Sequence, residues 1–455
     1  MGIPGIFFVR YSDLKGWQRI ALKGALDALD KLTIGLSLAS FYVAAYLGTT
    51  ERRWSLAEVG LAAWAVTELL FRMYVYLRIA RADKCRPAPL AGYERVALAK
   101  KMNDHMQEIK ELQEWFEPME SMTKDALNSF VIGIFFGKDE DELTKEEESQ
   151  AEEIKAIYEG RGEELLDRPS KKAKVLSLNS QAIMYEMRSV IYYGMVGAVR
   201  FLGELGLHRH GIKWYSLKGD LSYWLHQPPN PDPDQVPILY FHGIGVGPCI
   251  MLQHITSLME AYPRRPIILF SLPHISLVPF AKVASEDDAI EAIDMLFQQL
   301  GLNRVSIVAH SFGTLTAAWM IKTRPLYVSQ ITLIDPVCYM LWSRYLLRRA
   351  CHDSPDTVIH HYVRRFISRN HNFAIAIWRT MYWPYSFQMI EDLPCPTAIF
   401  LAKRDWAIDA PTTYSYLMRQ KAISHLNNVT IQMNDIDHLE FLAHQPILDH
   451  INLHI

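Results

Sequence analysis

Three residues far apart in the chain have the types that acyl transfer needs: Ser311, Asp405 and His438. A serine hydroxyl is a weak nucleophile until a base takes its proton and an acid orients and stabilises that base. Ser311 sits in Ala309, His310, Ser311, Phe312, Gly313, after the apolar run from Val305 and before the helix-forming run from Thr314 to Met320. Small residues two before and two after the serine suit a sharp strand-to-helix turn that lifts the hydroxyl off a sheet. That turn aims the positive end of the following helix at the serine, which favours an anionic tetrahedral intermediate.

Further upstream, Tyr240 and Phe241 run into His242, Gly243, Ile244, Gly245, Val246 and Gly247, a glycine-rich bend whose amides can face a substrate oxygen. The amides of Ile244 and Phe312 are the expected oxyanion hole. The same glycines could be read as a dinucleotide-binding loop, but their spacing differs and the next strand ends without the acidic residue a ribose would need. Downstream, Asp405 follows the strand Thr397 to Leu401, and His438 follows Asn428 to Met433. Asp409, four residues on, and Asp335, after the strand Ser329 to Ile334, compete with Asp405 as the acid. A structural role in capping the segment that follows suits Asp335 better. His242 and His310 read as backbone-positioning residues, and His425 and His444 as surface or helix-packing ones. No histidine has metal-ligand spacing, so neither metal nor cofactor is expected.

These residues sit on a recognisable frame. From Lys213 onward strand-like and helix-like runs alternate: strands Lys213 to Leu217, Leu221 to His226, Pro237 to His242, Pro266 to Phe270 and Val305 to Ala309, with helices Cys249 to Tyr262, Ser285 to Leu300, Phe312 to Thr323 and Pro411 to Ala422. The pattern predicts a mostly parallel sheet covered by helices on both faces. Residues 335–392 interrupt it with aromatics such as Trp342, Trp378 and Trp383, either a lid over the site or an insertion with its own small core.

With its His-Gly bend, its serine turn, its post-strand aspartate and its terminal histidine, residues 211–455 resemble the α/β-hydrolase family, whose chain order is also Ser, Asp, His. Ala309 and Ala402 stand where the family often has Gly. The resemblance implies an α/β-hydrolase fold with a helical lid, a serine hydrolase of the esterase or lipase type, and a carboxylic ester or thioester cleaved through an acyl-enzyme. An acyltransferase on the same triad, or a non-catalytic membrane scaffold of the same fold, are the rival readings.

Ahead of it lie an all-α region, 93–210, with a strongly charged run from Lys138, and a membrane-associated region, 1–92. Residues 33–50 carry no charge and are nearly long enough to span a bilayer. Residues 54–71 are a second, weaker span because they hold Glu58 and Glu68, carboxylates that cost several kcal/mol in hydrocarbon. Residues 14–29 have the spacing of a helix lying on a membrane surface. Ile183 to Leu205 is apolar enough to pack on protein or face lipid. Basic residues flanking the two apolar stretches predict a catalytic region on the cytosolic side. Asn428, Val429 and Thr430 would form a glycosylation site only on the opposite side.

The expected partners are therefore a membrane and a lipophilic small-molecule or lipid ester. With 47 basic and 50 acidic residues spread along 455 positions, nucleic acid is not among them. Cys85, Cys249, Cys338, Cys351 and Cys395 are odd in number and unpaired in spacing, and read as buried thiols rather than a disulfide frame.

Overall fold

The computed structural model describes residues 55–85, 92–117, 122–138, 140–161, 181–349 and 357–455, with isolated positions elsewhere. The expected first span, 33–50, and the surface helix, 14–29, lie outside these residues apart from a few helical positions between Gly35 and Tyr46.

Eight strands form one sheet: β1 (Lys213–Ser216), β2 (Ser222–His226), β3 (Ile238–Phe241), β4 (Ile267–Ser271), β5 (Val305–His310), β6 (Val328–Ile334), β7 (Thr397–Ala402) and β8 (Val429–Asn434). Their spatial order is β1-β2-β4-β3-β5-β6-β7-β8. The first hairpin joins antiparallel and every pairing from β4 through β8 is parallel. The inner strands β3, β4, β5 and β7 are buried at every residue, which explains why they read as unbroken apolar runs rather than as alternating ones.

Helices cover both faces: α6 (Leu252–Ala261), α7 (Glu286–Leu300), α8 (Gly313–Thr323), α9 (Ala410–Ile423) and α10 (Gln445–Asn452). Local chemistry sets their ends. Ser285 and Asp288 form a capping box at the start of α7, and Gly301 closes it in the left-handed region at φ 61°. This is the α/β-hydrolase fold, with a helical insertion between β6 and β7.

Among the residues described from 55 on, five α-helices precede the sheet: α1 (Leu56–Ala82), α2 (Gly92–His105), α3 (Lys124–Val131), α4 (Lys145–Glu159) and α5 (Val190–Arg209). They share a continuous apolar core with the sheet, through Phe71, Trp115, Phe130 and Tyr158. Several polar ties fasten them to the insertion and to α9. The Trp115 indole donates to the Trp342 carbonyl at 2.5 Å, and His105 bridges Glu391 at 2.7 Å and the Tyr416 hydroxyl at 2.8 Å.

The stretch expected as a second span is the first part of α1, and its Glu68 is wholly buried in protein. The carboxylate accepts from Arg72 Nε, from Ser189 Oγ and from the Val190 amide, all at 2.9 Å. Glu68 thus caps α5 from another helix, where the dipole and the unpaired amides of a helix start attract an anion. The same cap explains why α5 begins at Val190 and not at Ile183 as the apolar run suggested. Of the described helices, α5 alone is long and apolar enough to cross a membrane. The thiols of Cys249, Cys338 and Cys395 are buried, but Cys85 is exposed, because it lies in the turn beyond the end of α1 with its Sγ against the Arg81 carbonyl. Cys351 lies outside the described residues.

Replacing Glu68 with Ala removes three hydrogen bonds to a charged acceptor, each of a kind worth about 1.5–3 kcal/mol. The expected result is a lower melting temperature and faster amide exchange in the first turn of α5. An unchanged melting temperature and unchanged exchange there would show that α1 is not held on the protein by this contact.

Candidate active site

At the carboxyl edge of the sheet, β5 ends in His310 and the chain turns at once into α8. Ser311 holds this turn in the left-handed region, φ 52°, which costs an L-residue roughly 1–2 kcal/mol. Surrounding bonds fix it: its amide donates to the Ile334 carbonyl at 3.0 Å, and its carbonyl accepts from the Thr314 amide at 2.9 Å and hydroxyl at 2.6 Å. Glycine at 313 is a steric requirement, since a Cβ there would lie 2.3 Å from the Phe241 carbonyl oxygen at the end of β3. Gly243 obeys the same rule, as its Cβ would meet His310 Nδ1 at 2.9 Å and Ser311 Cβ at 3.0 Å.

Loops after β7 and β8 bring the other two residues to the serine. Ser311 Oγ lies 3.0 Å from His438 Nε2, and His438 Nδ1 lies 2.7 Å from Asp405 Oδ2. Asp405 is fixed by the Ala407 and Ile408 amides, which donate to its other oxygen at 2.6 and 3.3 Å. Since a carboxylate can only accept here, Nδ1 carries the proton and Nε2 is left as the acceptor for the serine hydroxyl. All three side chains are buried.

The two competing aspartates fall elsewhere. Asp409 faces out as the N-cap of α9, accepting from the Thr412 amide and hydroxyl at 3.2 and 2.7 Å. Asp335 does not cap the insertion. Its backbone bends back at φ 47°, and its carboxylate accepts from the Ala402 amide at 2.8 Å and the Leu439 amide at 3.3 Å, tying β7 to the loop that carries His438. From there Oδ2 lies 3.9 Å from His438 Nδ1.

Burial alone would depress the His438 imidazolium, but Asp405, by charge and hydrogen bond, and then Asp335 outweigh it and push the ring up to about 9. Burial pushes Asp335 upward, toward its neutral form. His310, packed against His438 and Phe441, is held neutral by burial. It bonds no backbone group among the described residues, so it fills space where hydrogen-bonded positioning was expected. His242 does position backbone: Nδ1–H donates to the Gly243 carbonyl at 2.7 Å and Nε2 accepts from the Leu272 amide at 3.2 Å. His310, Asp335 and His438 bring ligand-type atoms within 4.8 Å of one another, but His438 Nδ1 is already committed to Asp405.

Above Ser311 lies an apolar cavity walled by Ile244, Phe312, Leu315, Phe373, Trp378 and Trp383. Three of these come from the insertion, so its aromatics wall the cavity and also join the apolar core shared with the sheet. Among the described residues, neither the Ile244 nor the Phe312 amide donates to a backbone acceptor, although both residues line this cavity beside Ser311.

No protein-family model matches the chain, and no curated protein matches it. Among solved structures it is similar to the carboxylesterase CesB (YbfK) from Bacillus subtilis, at 12% identity over 57% of this chain and 97% of that one, with a TM-score of 0.37. Naproxen esterase from Bacillus subtilis gives 10% identity, 57% and 95% coverage and a TM-score of 0.39. A membrane phospholipase A described as a bacterial virulence factor gives 16%, 57% and 92%, and 0.39. The α/β-hydrolase fold of this chain rests on its own strand order, with Ser311, Asp405 and His438 each following a parallel strand at one edge of the sheet.

Proposed function

We propose that the protein is a serine hydrolase that cleaves a carboxylic ester of a lipophilic substrate through an acyl-enzyme. The observation that carries this reading is the unbroken hydrogen-bond relay from Ser311 Oγ through His438 to Asp405. Ser311 Oγ attacks the ester carbonyl carbon as His438 Nε2 takes its proton. The carbonyl oxygen becomes an anion held by the Ile244 and Phe312 amides, helped by the N-terminal end of α8. Collapse of the intermediate breaks the carbon–oxygen bond, and His438 returns its proton to the leaving alcohol. Water repeats the sequence on the acyl-enzyme and frees the acid.

The cavity supports an apolar acyl group, because Ser311 and Ser368 are the polar residues in a lining otherwise apolar or aromatic. The apolar helices before the sheet support a membrane-associated enzyme, and the basic residues flanking residues 33–71 support a catalytic region on the cytosolic side.

Labelling with a fluorophosphonate probe tests the nucleophile. Wild type is expected to label, and Ser311→Ala and His438→Ala to lose the label while keeping their melting temperatures. A folded wild type that never labels would rule out an activated serine. To test the acid, Asp405→Asn should lower kcat by about 10²–10⁴-fold, as loss of the orienting carboxylate does elsewhere. Asp409→Asn should leave kcat unchanged, and a reversed pattern would move the acid to the cap of α9.

A base must be neutral to accept the serine proton, so kcat/KM should rise with pH and level off only above about 9, the value for His438. Asp405, Asp335 and His310 are the titratable groups around that ring. Asp335→Asn removes one carboxylate's field and should move the rising limb to lower pH. A limb near the ordinary histidine value in wild type, unmoved by this substitution, would show that Asp335 does not act on His438.

A further inference from the structure

We infer that α1, α5 and the loop residue Phe280 form one face that lies within a single leaflet of a lipid membrane, with neither described helix crossing it. On α5, Ile191, Met195, Val199 and Leu202 recur at helical spacing and are exposed. On α1, Val59, Val66, Leu70, Met73 and Leu77 do the same. Phe280 stands beside both, exposed, with its ring 5.8 Å from Phe71 and 5.1 Å from Tyr74. Between the two helices runs an apolar crevice lined by Leu70, Phe71, Tyr193 and Phe280, of the kind that takes a lipid tail.

Charge points to lipid as the occupant. From Val59 to Leu77 the charged residues of α1 are Glu68 and Arg72, bonded to each other with Glu68 buried. On α5 before Gly203 the one charged residue is Arg200, which pairs with Glu204 at 3.3 Å. Where α1 leaves the face, Arg81 and Lys84 are exposed, while Asp83 between them is paired with Arg379. An uncharged face bordered by bare cations matches hydrocarbon beside anionic head groups.

α5 meets the length and hydropathy of a span but not its surroundings. Its other side is pressed on the sheet's own helical layer, where a Cβ on Gly203 would lie 2.7 Å from Cys249 Sγ and one on Gly206 3.0 Å from Leu252. Lipid can therefore reach one side only. The face is also close to the cavity. His371 packs against Phe71 and Tyr74, and Phe373, two residues on, packs against Phe312 in the cavity wall.

The test is nitroxide depth measurement on the full chain, in the Cys85→Ser background, bound to phosphatidylcholine vesicles with and without phosphatidylserine. Labels are placed singly through Leu70→Cys, Met195→Cys, Val199→Cys, Leu202→Cys and Phe280→Cys. All five are expected to report shallow immersion in one leaflet, and more of the protein is expected to bind when phosphatidylserine is present. Depth that climbs through the bilayer centre along α5 would overturn the inference in favour of a span. Labels that stay in water, free or covered by a second copy of the chain, would overturn it altogether. Combining Met73→Asp with Met195→Asp should slow hydrolysis of a vesicle-borne ester by about tenfold or more and leave a water-soluble ester unaffected. Only this last readout rests on the hydrolase reading. If the wild type hydrolyses neither ester, that reading fails and the depth measurement still decides the face.

Discussion

Everything at the carboxyl edge of the sheet depends on a steric constraint, the left-handed turn that Ser311 makes between β5 and α8. The turn exists because Gly313 lets the start of α8 touch the Phe241 carbonyl and Gly243 lets the neighbouring bend touch His310 and Ser311. With those contacts made, the serine hydroxyl has one place to be, and the loops after β7 and β8 need only reach it. The strain is roughly 1–2 kcal/mol, small beside the burial of the strands that hold it.

Much of this was legible in the sequence because the residues involved obey local rules. Buried parallel strands must be apolar throughout, so β3, β4, β5 and β7 could be read as runs. A serine flanked by small residues between a strand and a helix could be read as a turn. The acid was harder to read, because Asp335, Asp405 and Asp409 all follow strands closely. Their placement differs through the backbone: Ala407 and Ile408 fold their amides onto Asp405, which meets His438, and Thr412 takes Asp409 outward. Asp335, expected to cap the insertion, instead bonds Ala402 and Leu439, partners far along the chain that no local pattern could supply.

Glu68 shows the same limit from the other direction. In an apolar stretch a lone carboxylate reads as a cost, and that is how hydropathy weighs it. Its partners Ser189 and Val190 are more than a hundred positions away, and with them the carboxylate becomes the reason two helices meet. A helix can then be apolar on its outer side without being surrounded by lipid.

The insertion over the serine is stitched to the rest of the chain at several points. Trp342 near its start is held by Trp115, Glu391 near its end by His105, and His371 in its middle by a hydrogen bond to the Pro279 carbonyl at 2.9 Å. A roof tied at both eaves and along its ridge cannot swing as a flap. With the roof so tied, rotation of wall side chains such as Phe373 and Trp378 would open a slit rather than a mouth. A molecule threading a slit enters end first, so such an entrance would weigh cross-section before length.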